Sequence, residues 1–273
     1  RSAQHLANSA YHPYFTWANY SLVTMERQMI NPMLGENPVE MGVNDGNLPA
    51  ILERLRADRR YQDLFDRAFP KDAEPICLEH IVKEISTFQR GMISANSRYD
   101  QHLQKKANLT ANEEHGRQLF FSDQAQCSQC HGSFNFNDQV ISVGTRQVTL
   151  QVHNTGLYNL DGKGAFPEGN GGIYELSGLP RDAGMFRAPS LRNVAVTAPY
   201  MHDGSLSALE DVLDFYANHG REITGGPFRG DGRKSPNKDP RINRISLNAQ
   251  DKADVIAFLK TLPDDEFLPH PRF

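Results

Sequence analysis

Apolar residues recur at the spacing of one helical face in several stretches of this chain, and the segments between them are rich in Gly, Pro, Asn and Asp. Leu48, Ile51, Leu52 and Leu55 predict a first helix. Leu78, Ile81, Val82, Ile85, Phe88 and Met92 predict the clearest amphipathic one. Thr110-Ala111-Asn112-Glu113 reads as a capping box, in which a hydroxyl and a carboxylate satisfy the free N–H groups at a helix start; that helix runs through Leu119 and Phe120. A second box at Ser207-Ala208-Leu209-Glu210 opens a helix with Leu209, Val212, Leu213 and Tyr216 on one face, ending near Gly220 as a left-handed cap. A last helix from about Asn248 turns Val255, Ile256 and Leu259 inward and stops at Pro263. All these apolar positions read as core.

The remaining segments lack a period. Residues 1–46 predict loops with short helical pieces, punctuated by Pro13, Pro32 and Pro38. From Gly132 to Tyr200 the chain is irregular, with only weak strand character near "QVTLQVHN", and an irregular stretch of that length inside a compact domain is usually functional. Residues 224–246 read as a polar loop. An apolar fraction of 38% supports packed cores, and a net charge of −4 without a Lys/Arg stripe gives no reason to expect nucleic-acid binding. No run approaches the roughly 18–20 apolar residues of a membrane span.

Chemistry enters at Cys127-Ser128-Gln129-Cys130-His131. Two cysteines three apart followed by histidine form the attachment pattern of a c-type haem. Each thiol adds to a porphyrin vinyl group, and the neighbouring imidazole reaches the iron as proximal ligand. A zinc site would need two more paired Cys or His, and the chain's one other cysteine, Cys77, stands alone. A redox dithiol would need a βαβ setting, which is absent. Cys77, at the start of an apolar stripe, is expected to be buried and inert. Covalent haem attachment takes place outside the cytoplasm, so a periplasmic or cell-surface location is expected, with an export signal removed ahead of Arg1. The fold expected is mostly α, with cytochrome c-like haem domains and long irregular loops. The boundary falls just before the Thr110 helix, dividing residues 1–108 from 109–273.

Longer motifs narrow this picture. "FRAPSLRNVAVTAPYMHDGSLSALEDVLDFY" resembles the C-terminal haem domain of the di-haem cytochrome c peroxidase and MauG superfamily, and "WANYSLVTMERQMINPMLGENPVEMG" resembles its segment between the haems. "HNTGLYNLDGKGAF" and "GGIYELSGLP" look closest to the MbnH-like, methanobactin-associated branch. Family members carry a second CxxCH upstream, so the resemblance implies a second haem in an N-terminal segment missing from this chain.

The resemblance also implies roles. Cys127 and Cys130 would carry haem c, with His131 proximal, and the family's sixth-ligand position, counted on from His202, falls on Tyr216; Met201 and Met185 are the rival ligands. An anionic phenolate oxygen favours the higher oxidation states of iron, whereas a thioether favours the ferrous state. Trp17 matches the tryptophan between the haems. Glu40 matches the distal carboxylate at the peroxide-binding haem, where a carboxyl in a partly apolar pocket would shuttle a proton, and Gln28 and Pro32 fall on the same distal wall. The loop from Pro32 to Glu40 is longer than in typical peroxidases. A calcium ion would take carbonyl oxygens of Thr197 and Pro199, with Ser2 where the family has asparagine. His202 matches a histidine near a haem propionate; the other histidines are expected to be solvated or capping.

Three functions follow. The first is a MauG/MbnH-like oxidase using hydrogen peroxide to oxidise a tryptophan, towards kynurenine, on a copper-associated partner protein by long-range electron transfer. The second is a cytochrome c peroxidase drawing electrons from a small redox protein. The third is a mono-haem electron-transfer cytochrome.

Overall fold

The computed structural model describes residues 2–271 and is mostly helical. The helices are α1 (Met25–Leu34), α2 (Leu48–Ala57), α3 (Arg59–Ala68), α4 (Leu78–Arg90), α5 (Arg98–Leu103), α6 (Ala111–Phe120), α7 (Ser128–His131), α8 (Tyr174–Ser177), α9 (Leu209–Ala217) and α10 (Ala249–Leu259). Among the described residues the one sheet is an antiparallel pair, β1 (Glu222–Ile223) and β2 (Gly230–Asp231), with Glu222 opposite Asp231.

The main core forms where α6 crosses α10. Gly116 permits the crossing: a Cβ there would lie 1.8 Å from the Asp254 carbonyl oxygen, so any side chain would force the helices apart. Phe120, Phe136, Val255, Phe258, Leu259 and Leu262 fill the core, and α9 adds Leu209 and Leu213. The Phe120 and Phe258 rings pack 5.3 Å apart, and Tyr99 meets Phe258 edge-on at 5.1 Å. Each such ring contributes about 1.5–3 kcal/mol by leaving water. Phe120, Leu213, Val255 and Leu259 also turn one side toward a cavity, so this core is the back wall of the site.

Helix starts follow local chemistry, with one shift. At α6, Thr110 Oγ1 accepts from the Glu113 N–H while the Glu113 carboxylate accepts from the Thr110 N–H, as predicted. Asn248 and Asp251 do the same at α10. At α9 the helix begins one residue later than Ser207-Ala208-Leu209-Glu210 implies. Asp211, not Glu210, accepts from the Ala208 N–H (3.1 Å) and the Ser207 hydroxyl (2.9 Å). Burial of Leu209 and Leu213 sets that register. At its other end His219, with φ 59°, takes the left-handed turn before Gly220.

The first hundred residues depart further from expectation. Pro32 sits inside α1 rather than ending it. Met29 and Met33 of α1 pack on Val82 of α4, so the strongest predicted amphipathic helix does find a core partner. The α2 stripe does not: Leu48, Ile51, Leu52 and Leu55 are only half-buried, because α2 packs mainly on the short, charged α3. Cys77, expected to be buried, is half-buried just before α4. Residues 132–200 are irregular apart from α8 and two 3-10 turns, and the strand character near residue 150 amounts to one bridge, His153 to Phe186.

A buried polar network ties this half to the rest. Asn8 donates to the Ser94 carbonyl (2.8 Å) and to Asn135 Oδ1 (3.1 Å), and accepts from the Ser94 N–H (2.8 Å). Asp264 accepts from the N–H groups of Ala95 and Asn96, and Arg192 pairs with Asp100. Buried polar groups satisfied in this way fix a unique arrangement.

Candidate haem site

Helix α7 is one turn long. Cys127 caps it, and the N–H groups of Cys130 (3.2 Å) and His131 (2.9 Å) both donate to the Cys127 carbonyl. Residues three and four apart share a helical face, so both thiols and the imidazole line one large, mostly apolar cavity. His131 Nδ1 lies 2.9 Å from the Phe136 carbonyl, which fixes the proton on Nδ1 and leaves Nε2 as a lone-pair donor. Burial lowers the His131 pKa and keeps the ring neutral, as ligation requires. Burial also pushes the Cys127 thiol up to about 12.

Tyr216 reaches the same cavity from α9. Burial, followed by the two cysteines, pushes its phenol well above the ordinary value, so a phenolate there needs a cation beside it. Of the rival sixth ligands, Met201 lines the cavity, whereas Met185 does not and packs with Ile173 and Phe186. Trp17, His202, Thr197, Pro199 and Ser2 share the wall. The Trp17 indole N–H donates to the Ser2 carbonyl at 2.7 Å, and the Ser2 N–H donates to the His202 carbonyl at 2.8 Å. His202 stacks on Phe186 with ring centroids 3.7 Å apart.

The chain is similar to known proteins. The family model for di-haem cytochrome c peroxidase matches residues 1–108. A cytochrome-c peroxidase of Denitromonas iodatirespirans is 30% identical over 288 aligned residues, covering 99% of this chain and 70% of the relative. The chain belongs to the di-haem cytochrome c peroxidase family. That family, which includes MauG, consists of haem-dependent oxidoreductases built on c-type haem. The methylamine utilization protein MauG of Methylorubrum extorquens is 29% identical over 93% of this chain, which spans only 62% of that relative's length. A solved structure of a MauG-like protein associated with microbial copper homeostasis superposes with a TM-score of 0.97 at 51% identity, covering 99% of this chain and 77% of the other.

Two polar clusters on the cavity wall of this family member carry no sequence signature, and they correct the expectation that its remaining histidines are solvated or capping. In the first, the His153 ring bridges Asp138 Oδ2 (2.5 Å) and Asp239 Oδ2 (3.0 Å), and Arg241 pairs with Asp239 at 2.6 Å. Desolvation alone would lower the His153 pKa; the two carboxylates outweigh it and raise it to about 11. Cys130, Asp138 and His153 place ligand-type atoms within 4.8 Å of one another, but carboxylates engage both ring nitrogens, so the group is an ion cluster against the attachment cysteine.

The second cluster is Arg187 with His12, His5 and Gln4. Arg187 is buried and hydrogen-bonds to the Tyr14 carbonyl, Gln4 Oε1 (3.3 Å) and His12 Nδ1 (3.0 Å), none of them a carboxylate. Its Nε, Gln4 Nε2 and His5 Nδ1 are buried without a hydrogen-bond partner. Burial and the neighbouring guanidinium hold His12 down at about 2. A buried cation that no carboxylate hydrogen-bonds, felt by Asp138 only at a distance, is costly beside unpartnered polar atoms unless an anion joins it. A c-type haem would fit on both counts, with the two thiols placed for its attachment and the Arg187 cluster suited to its carboxylates.

Gln28, Pro32 and Glu40 are not on this cavity. Gln28 and Pro32 lie one turn apart on α1, and the loop beyond folds back so that the Met41 N–H donates to the Pro32 carbonyl at 2.9 Å, bringing Glu40 alongside. Glu40 is exposed in this chain, between Val39 and Met41. The structure therefore separates the predicted residues into a cavity set and an outer α1 set.

Proposed function

We propose that this chain is the greater part of a MauG/MbnH-like di-haem oxidase that uses hydrogen peroxide to oxidise a tryptophan on a partner protein at long range. The observation that carries the reading is Tyr216 on the same cavity wall as Cys127, Cys130 and His131. The similarity to a MauG-like protein associated with microbial copper homeostasis supports a copper-associated partner. Export to the periplasm or cell surface follows from covalent haem attachment, and among the described residues no helix is long and apolar enough to cross a membrane.

Residues 109–273 form the cytochrome c-like unit that holds one haem. Cys127 and Cys130 would attach it, His131 Nε2 and Tyr216 would ligate it, and Arg187, Gln4 and His5 would receive its carboxylates. When bound, the haem supplies an iron that stores and returns single electrons. Held between His131 and Tyr216 by the apolar walls, a haem here would act as an electron store rather than a peroxide-binding site. Residues 1–108 belong to the bridge and the distal side of a second haem carried upstream. There Glu40 would take the proton from one peroxide oxygen and return it to the other, with Gln28 and Pro32 shaping the wall, and Trp17 would pass charge between the two centres. Calcium bound by the Thr197 and Pro199 carbonyls near Ser2 would brace that bridge.

Met201 on the cavity wall favours a second reading, a cytochrome c peroxidase with a thioether-ligated centre. The absorption spectra of haem-loaded Tyr216→Phe and Met201→Leu decide between them. The oxidase reading expects a large change in the first and none in the second; the reverse pattern removes it.

A further inference from the structure

An aromatic path leads from the haem cavity to the surface. Trp17 meets His202 at 6.3 Å, His202 stacks on Phe186 at 3.7 Å, and Phe166 lies 6.2 Å from Phe186. Tyr158 follows at 5.5 Å from Phe166 and 5.9 Å from Phe228. Tyr158 is buried, whereas Phe228 is 46% exposed. Phenylalanine and imidazole are hard to oxidise, so Tyr158 is the outermost readily oxidised ring on this path.

Its surroundings suit oxidation. The Tyr158 hydroxyl donates to Asp203 Oδ2 at 2.6 Å, the length of a strong bond to an ionised carboxylate. Asp203 is kept in place by the Ser205 N–H (3.0 Å) and by Arg221 at 3.7 Å. The Arg221 guanidinium also sits 4.7 Å over the Tyr158 ring. A cation on the ring face opposes a positively charged radical, so the electron can leave only as the proton passes to Asp203. Leu157, the preceding residue, lines the haem cavity.

We infer that Tyr158 and Asp203 form a proton-coupled relay through which oxidising equivalents leave the haem cavity toward the Phe228 surface. This rests on the oxidase reading above. In the outward step Tyr158 gives one electron to the peroxide-oxidised haem centre, which is reduced by one equivalent. The phenolic O–H bond breaks and its proton forms an O–H bond on Asp203. In the return step an aromatic side chain of the partner gives one electron to the tyrosyl radical, and the proton comes back from Asp203. Tyr158 is unchanged over the cycle.

The test uses the complete, haem-loaded protein treated with hydrogen peroxide and a nitrone spin trap. Tyr158→Phe keeps the ring and its packing, and Asp203→Asn keeps the shape while removing the proton acceptor. The wild type should yield a trap adduct mapped by mass spectrometry to Tyr158 and a tyrosyl signal in rapid-freeze electron paramagnetic resonance. Both should vanish in Tyr158→Phe and fall about tenfold in Asp203→Asn, with the oxidised haem spectrum still forming in both variants. A wild-type protein that forms that spectrum, yet carries no adduct at Tyr158, overturns the relay and leaves the oxidase reading standing. A wild-type protein with no peroxide-induced spectral change overturns both. If Asp203→Asn retains the full tyrosyl signal, Asp203 is not the acceptor and the coupled step is wrong.

Discussion

The two histidine clusters on the cavity wall are built from similar parts and do opposite things. His153 lies between Asp138 and Asp239 with Arg241 alongside, so two cations face two carboxylates and the group is charge-balanced by protein alone. Arg187 with His12 and His5 has no carboxylate among its hydrogen-bond partners and leaves three polar atoms buried without one. Burial drives the His12 pKa down, whereas the carboxylates overcome burial and drive that of His153 up. A balanced cluster serves the fold; an unbalanced one at the same wall points to a ligand carrying negative charge.

The largest expected effect is at the balanced cluster. His153→Gln leaves the nearly buried Asp138 without its cation, while Arg241 still pairs with Asp239, and should cost about 3–5 kcal/mol in urea denaturation. A loss below about 1 kcal/mol would mean that the cluster is not a folding element. As a reference, Gly116→Ala should cost about 3 kcal/mol by opening the α6–α10 crossing, with no change in pH dependence.

Arg187→Met tests the other side of the contrast by its sign. In the haem-loaded protein it should destabilise by about 2 kcal/mol, because the haem carboxylates lose their donor. A neutral or stabilising result would show that Arg187 faces no anion, since removing an unpaired buried cation is favourable.

The two histidines should also differ in the sign of their pH dependence. The folded state holds the His153 proton more tightly than the unfolded state, so its contribution is complete below about 6.5 and is lost as pH rises toward about 11. The stability gap between wild type and His153→Gln should therefore narrow in alkali. His12 behaves oppositely: it stays neutral when folded and protonates below about 6.5 when unfolded, so stability falls in acid. His12→Gln should reduce the loss between pH 7 and pH 5 by about 2 kcal/mol. Equal slopes in wild type and variant would place the acid-sensitive group elsewhere.

Much of this molecule was legible in its residues. The CxxCH turn, the Thr110 and Asn248 helix starts and the stripe on α4 depend on neighbours within a few positions, and local spacing specifies them. The α9 start was misplaced by one residue because two acidic side chains compete for the cap, and the buried Leu209 and Leu213 decide between them. The α2 stripe stays half-buried because periodicity marks a face without fixing what packs on it.

The haem motif and the mostly helical class follow from local spacing, and the set Trp17, Thr197, Pro199, His202 and Tyr216 from the family resemblance. Tertiary structure alone decided that Met185 misses the cavity, that Glu40 is exposed, and that His153 and Arg187 face the haem site. The reason is physical. His153 meets Asp239 across 86 positions, and Arg187 meets His12 across 175. No periodicity records an electrostatic pair separated that far along the chain; it exists only once the backbone has brought the charges out of water and beside each other.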